Sequence, residues 1–114
     1  MPSALFAGVA VADLDVGRPW YERLLGRPPD LVPNETEVAW QVDEAGWLYV
    51  VEDASRAGRA LVTVIVDDLD GVLAGLDARG IAAEPVQTYG NGVRKVEIDD
   101  PDGNRIGFGQ VASG

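Results

Sequence analysis

Eleven residues, "LFAGVAVADLD" at 5–15, return 55 positions later as "ALVTVIVDDLD" at 60–70. Val9, Val11, Asp13, Leu14 and Asp15 align without a gap on Val64, Val66, Asp68, Leu69 and Asp70. Each copy places β-branched residues at alternate positions, which suits a half-buried strand. Each then meets an aspartate, whose carboxylate is a good acceptor for the free N–H groups at a helix start. A repeat of this kind restricts the fold to two similar strand–helix units packed against each other.

The rest of the chain extends both copies in the same way. Leu69, Val72, Leu73 and Leu76 fall at helical spacing, and that helix is expected to stop near Arg79-Gly80. In the first copy Tyr21, Leu24 and Leu25 form the corresponding face, and Gly26 ends it. Pro19 lacks an N–H and fits best in a first turn, so this helix is expected to start late or irregularly. Strand-like runs follow near 29–33, 36–42 and 46–52, then near 82–87, 92–98 and 104–110. The order strand, helix, three strands therefore occurs twice. It divides a single domain, 1–114, into a first module at 4–53, a polar linker at 54–59 and a second module at 60–111. A single ferredoxin-like sheet is the alternative, and the second strand–helix copy argues against it.

Composition removes several kinds of chemistry. Cysteine and histidine are both absent, so there is no disulfide, thiolate nucleophile or imidazole base, and no zinc–cysteine site. The three serines, Ser3, Ser55 and Ser113, have no histidine to activate them. Catalysis would have to rest on Asp, Glu, Tyr, Arg or the single lysine, Lys95. A net charge of −10 disfavours nucleic acid and favours a cationic partner, although acidity by itself also serves solubility. No apolar run approaches a membrane span, and no basic stretch precedes Leu5-Phe6, so a cytoplasmic location is expected.

Asp100-Pro101-Asp102-Gly103-Asn104 is a turn by composition, with Pro101 presetting φ and Gly103 free to take a positive φ. It is not an EF-hand calcium loop, because the glycine that loop requires falls on Arg105. Taken with the paired βαβββ order and the two Asp-Leu-Asp helix starts, the turn makes the chain resemble the vicinal oxygen chelate superfamily over about residues 4–111. That group includes glyoxalases, extradiol dioxygenases and bleomycin-resistance proteins. The resemblance implies an α+β fold of two tandem βαβββ modules, with curved mixed sheets around a cleft. It also implies a homodimer. In metal-dependent members a histidine lies on the first strand of a module and a carboxylate follows the turn. The matching positions here hold Phe6, Leu61 and Gly107, with Glu52 the fourth candidate, so neither metal nor cofactor is expected.

An emptied site of this kind would have an apolar floor. Phe6, Leu61 and Gly107 are expected on it, with the aromatics Trp40, Trp47, Tyr49 and Tyr89 as further ligand-binding candidates. Arg94 is the candidate for recognising a carboxylate or phosphate. Trp47 and Tyr49 share a strand face, and Glu52 has the opposite parity. "TYGNGVRK" at 88–95 reads as a lip over the cleft or as a tight hairpin turn. Three functions stay open. One is a metal-free binder of a cationic or aromatic small molecule. Another is a metal-independent lyase or isomerase with Glu52 moving a proton. The last is a non-catalytic dimeric interaction module.

Overall fold

The computed structural model describes residues 2–112. In chain order the first module contains β1 (Leu5–Val11), α1 (Leu14–Leu25), β2 (Leu31–Asn34), β3 (Glu37–Asp43) and β4 (Gly46–Glu52). The second contains β5 (Leu61–Ile65), α2 (Leu69–Ala78), β6 (Gln87–Thr88), β7 (Arg94–Asp99) and β8 (Arg105–Gln110). Each module forms a mixed four-stranded sheet, ordered β1-β4-β3-β2 and β5-β8-β7-β6. The first strand of each module runs parallel to its last, and the other pairs are antiparallel. This is the expected α+β architecture of two tandem modules.

Strand parity builds the core. Val9 and Val11 of β1, Leu48 and Val50 of β4, and Val38 and Trp40 of β3 are buried with Leu14, Tyr21 and Leu24 of α1. Val96, Ile98, Ile106 and Phe108 join Leu69 and Leu76 of α2 in the same cluster. Each helix thus covers one face of its sheet and leaves the other open.

Prolines account for the departures from the expected boundaries. The α1 helix does not start late: it begins at Leu14 and carries Pro19 inside. Its first turn is held from both sides, by Asp13 Oδ1 accepting from Asp15 N and by Glu52 Oε1 accepting from Leu14 N. These contacts outweigh the one hydrogen bond that Pro19 deletes. The run expected at 29–33 begins only at Leu31, after Pro28-Pro29. The run expected at 82–87 shrinks to the two residues of β6, following Pro85.

The Asp-Pro-Asp-Gly-Asn turn is more than a hairpin. Asp100 Oδ1 accepts from the N–H groups of Asp102 and Asn104, each at 2.9 Å. Its Oδ2 accepts from Tyr21 Oη of α1 at 2.7 Å and from Asn104 Nδ2 at 2.8 Å. Asn104 Nδ2 also donates to the Ala10 carbonyl of β1, while its Oδ1 accepts from Gly58 and Ala60. The turn thereby clasps β1 and the segment that leads from the linker into β5. Burial and the Asp100 carboxylate together push the Tyr21 phenol well above its ordinary range. Arg79, which caps α2, donates to the carbonyls of Arg23 and Leu24 and ties the second helix to the end of the first. Among the described residues, no helix is long and apolar enough to cross a membrane.

Candidate functional site

The faces turned away from the helices form the candidate site. On the first sheet the register pairs Phe6 with Trp47 and Gly8 with Tyr49, four residues of one parity. Phe6 and Trp47 are stacked, with ring centroids 5.3 Å apart and planes 7° from parallel. Tyr49 is tilted against Phe6 at 6.3 Å. Phe6 remains 46% exposed, so this aromatic shelf meets solvent. On the second sheet Leu61, Thr63 and Ile65 of β5 lie beside Arg105, Gly107 and Gly109 of β8. Leu61 and Ile65 are 81% and 59% exposed.

A groove of about 580 Å³ runs between β1 and β5, walled by Trp47, Thr63 and Ile65 of the open faces and by Ala7, Val62 and Val64 of the helix-side parity. That volume is in the range of small-molecule sites. Trp47 and Thr63 line it from opposite sheets, so the shelf reaches this space through Trp47, with Phe6 and Tyr49 outside its walls.

The other candidates from the sequence lie elsewhere. Trp40 is fully buried on the helix-covered face, its indole N–H donating to the Arg27 carbonyl at 3.0 Å, and no ligand on the open face reaches it. Arg94 is also on the helix side: its guanidinium meets Asp70 in the first turn of α2 at 2.8 Å. The pair holds the Asp70 carboxyl below its usual range. Glu52 has the parity expected of it and caps α1 through Leu14 N at 3.0 Å, turned away from Phe6 and Tyr49. Tyr89 stands on the hairpin turn closed by Tyr89 N to Val93 O, with its hydroxyl on Gln87.

Sequence reasoning names Lys95 among the groups left for catalysis but not as a ligand-binding residue. It shares a face with Gly109 and Glu97 next to Gly107, and its stem lies across Gly107: a Cβ built there would fall 2.8 Å from Lys95 Cε. Parity relative to Val96 and Ile98, both core residues, was the signal that separates Lys95 from Arg94. On the same face Arg105 meets Asp99 at 2.9 Å and Glu84 at 3.2 Å, with Glu97 at 3.9 Å.

Register also corrects the fourth metal-equivalent position. Gly107 faces Thr63, and the repeat carries Thr63 onto Gly8, whose partner is Tyr49 rather than Glu52. The four equivalent side chains are therefore Phe6, Tyr49, Leu61 and Gly107. They offer one phenol and no carboxylate or imidazole, a donor set that does not fit a divalent cation. Among the described residues no group of three or more His, Cys, Asp or Glu is placed to hold a metal.

Comparison with known proteins agrees with this architecture. A sequence profile of the glyoxalase/bleomycin resistance protein/dioxygenase superfamily matches residues 4–108. A glyoxalase/bleomycin resistance protein from Catenulispora acidiphila DSM 44928 is 51% identical in a superposition covering 96% of this chain and 98% of that one, with a TM-score of 0.91. TnmS3, an antibiotic binding protein from Streptomyces sp. CB03234, is 25% identical over 96% and 95% of the two chains, with a TM-score of 0.75. Lactoylglutathione lyase from Agrobacterium tumefaciens shares the fold at 23% identity, over 96% and 95%, also with a TM-score of 0.75. No curated protein matches the chain. With the profile spanning nearly every element of both modules, the chain belongs to the glyoxalase/bleomycin resistance protein/dioxygenase superfamily.

Proposed function

We propose that the protein is a metal-free, small-molecule-binding member of its superfamily, holding a flat apolar or aromatic ligand on the open face of its sheets. The observation that carries this is the exposed Phe6–Trp47 stack, a parallel aromatic surface beside a groove of ligand size. The antibiotic-binding relative lends support. The donor set at Phe6, Tyr49, Leu61 and Gly107 supports the metal-free part. The lyase or isomerase alternative loses its proton carrier, because Glu52 serves the helix start instead. A cytoplasmic setting belongs to the same proposal.

The interaction-module reading has an observation of its own. Leu5, Phe6, Leu61 and Ile65 expose a broad apolar surface that a second copy would cover. We therefore include a homodimer, with the ligand face at or beside the contact. Light scattering should give twice the 12.1 kDa chain mass; a monomer at working concentration removes this part.

The binding claim is tested by titrating 2-naphthamide, an uncharged flat probe, against tryptophan fluorescence. Phe6→Ala should weaken binding by about tenfold with little change in thermal stability, since the ring packs on the open face. Equal affinity in the variant, or stoichiometric metal in the purified protein by elemental analysis, overturns the reading.

A further inference from the structure

The geometry points to Lys95 as an anchor for a carboxylate or comparable oxyanion, so that the ligand is a flat aromatic acid rather than a cation. This rests on the open face being the binding site. In each sheet a glycine lets a neighbouring side chain lie flat over the strand. Tyr49 lies over Gly8 of β1, its hydroxyl 2.6 Å from where a Cβ would stand. Lys95 of β7 lies across Gly107 of β8, with Cε at 2.8 Å and Nζ at 3.6 Å from the corresponding point, and Thr63 Oγ1 of β5 at 3.3 Å. The end of the Lys95 side chain and the Thr63 hydroxyl thus approach the same point over Gly107 from its two neighbouring strands.

Gly8 and Thr63 are equivalent in the repeat and lie on β1 and β5, and Asn104 ties β1 to Ala60 at the entry to β5. Thr63 lines the same groove as Trp47. A flat ligand that extends from Trp47 along this groove meets the Thr63 hydroxyl and, beyond the groove wall over Gly107, the Lys95 ammonium.

The charge at this edge is free. Five arginines pair with carboxylates among the described residues, and Lys95 is in none of these pairs. Glu97, the acidic neighbour on its face, is directed to Arg105. The overall charge of −10 would favour a cationic ligand at long range; the site itself offers a positive charge at contact range, where local pairing with an anion outweighs screened distant charge.

The test uses three flat probes of one shape: 2-naphthoate, 2-naphthamide and 2-naphthylmethylammonium. The wild type should bind 2-naphthoate at least about tenfold more tightly than the ammonium probe. Lys95→Met keeps the stem and removes the charge; it should erase this preference while weakening 2-naphthamide binding far less than 2-naphthoate binding. Gly107→Ala keeps the charge but pushes the flexible stem aside, and should reduce the preference in a folded protein. A preference for 2-naphthoate that survives Lys95→Met, or a wild type that prefers the ammonium probe, overturns the inference while 2-naphthamide binding leaves the aromatic site standing. Failure of all three probes to bind overturns both.

Discussion

In the first module the Leu14 N–H donates to Glu52 Oε1 at 3.0 Å; in the second, the Leu69 N–H donates to Gln110 Oε1 at 2.7 Å. The last strand of each module thus closes the start of its helix in the same way, with a carboxylate in one and an amide in the other. The open faces share no such likeness. Phe6, Trp47 and Tyr49 of the first correspond to Leu61, Arg105 and Gly107 of the second. The contacts that assemble a module have been kept in both copies, and the faces that meet solvent have diverged. Glu52, which looks catalytic in isolation, is structural once its counterpart is seen to do the same work without a charge.

The modules differ again at their last hairpin. The first turns through Asp43 to Gly46 at the surface, whereas the second clasps its partner through Asp100 and Asn104. The largest effects should come from breaking that asymmetry. Asn104 is fully buried and serves Gly58, Ala60, Ala10 and Asp100. Asn104→Ala should cost about 3 kcal/mol in a denaturant titration, because several buried groups lose a partner together. A cost below about 1 kcal/mol would show that the modules hold without the clasp.

Tyr21→Phe should cost less, about 1 to 2 kcal/mol, since Asp100 Oδ2 keeps Asn104. It carries a pH signature as well. The free phenol ionises near pH 10, while the buried one stays neutral far beyond that. The folded state then holds a proton that the unfolded state has lost. Stability from this group is complete below pH 10 and falls as pH rises past it, and the variant should lack that alkaline decline. An unchanged alkaline limb contradicts the assignment.

The smallest effect sharpens the likeness. Glu52→Ala should cost about 1 kcal/mol as a lost helix cap, while Glu52→Gln, which copies the second module, should cost almost nothing. A large loss of binding or stability in Glu52→Gln would restore a role for its charge.

How much of this was legible in the sequence follows from the physics of each part. The repeat and the capping aspartates gave the fold, because alternation and N-caps are local signals. The prolines misled, since the hydrogen bonds that hold α1 at Leu14 come partly from Glu52, which is remote in sequence. The site was half legible. Parity put Trp47 and Tyr49 together and Glu52 opposite, but Trp40 and Arg94 lie one residue out of phase with the open face, where a single step reverses which side a residue takes. Lys95 was named only as a conceivable catalyst, not as a ligand residue, because its reach depends on Gly107 lying beside it, a cross-strand relation that no window of sequence contains.

The central claim is that the open face binds and the covered face does not. The chain has three tryptophans, Trp20, Trp40 and Trp47, whose indole N–H groups report separately in a ¹H–¹⁵N spectrum. During a 2-naphthamide titration the Trp47 signal should move to saturation while that of Trp40, buried and bonded to Arg27, stays in place. A Trp47 signal that does not move, or a saturable shift confined to Trp40 or Trp20, would contradict the account.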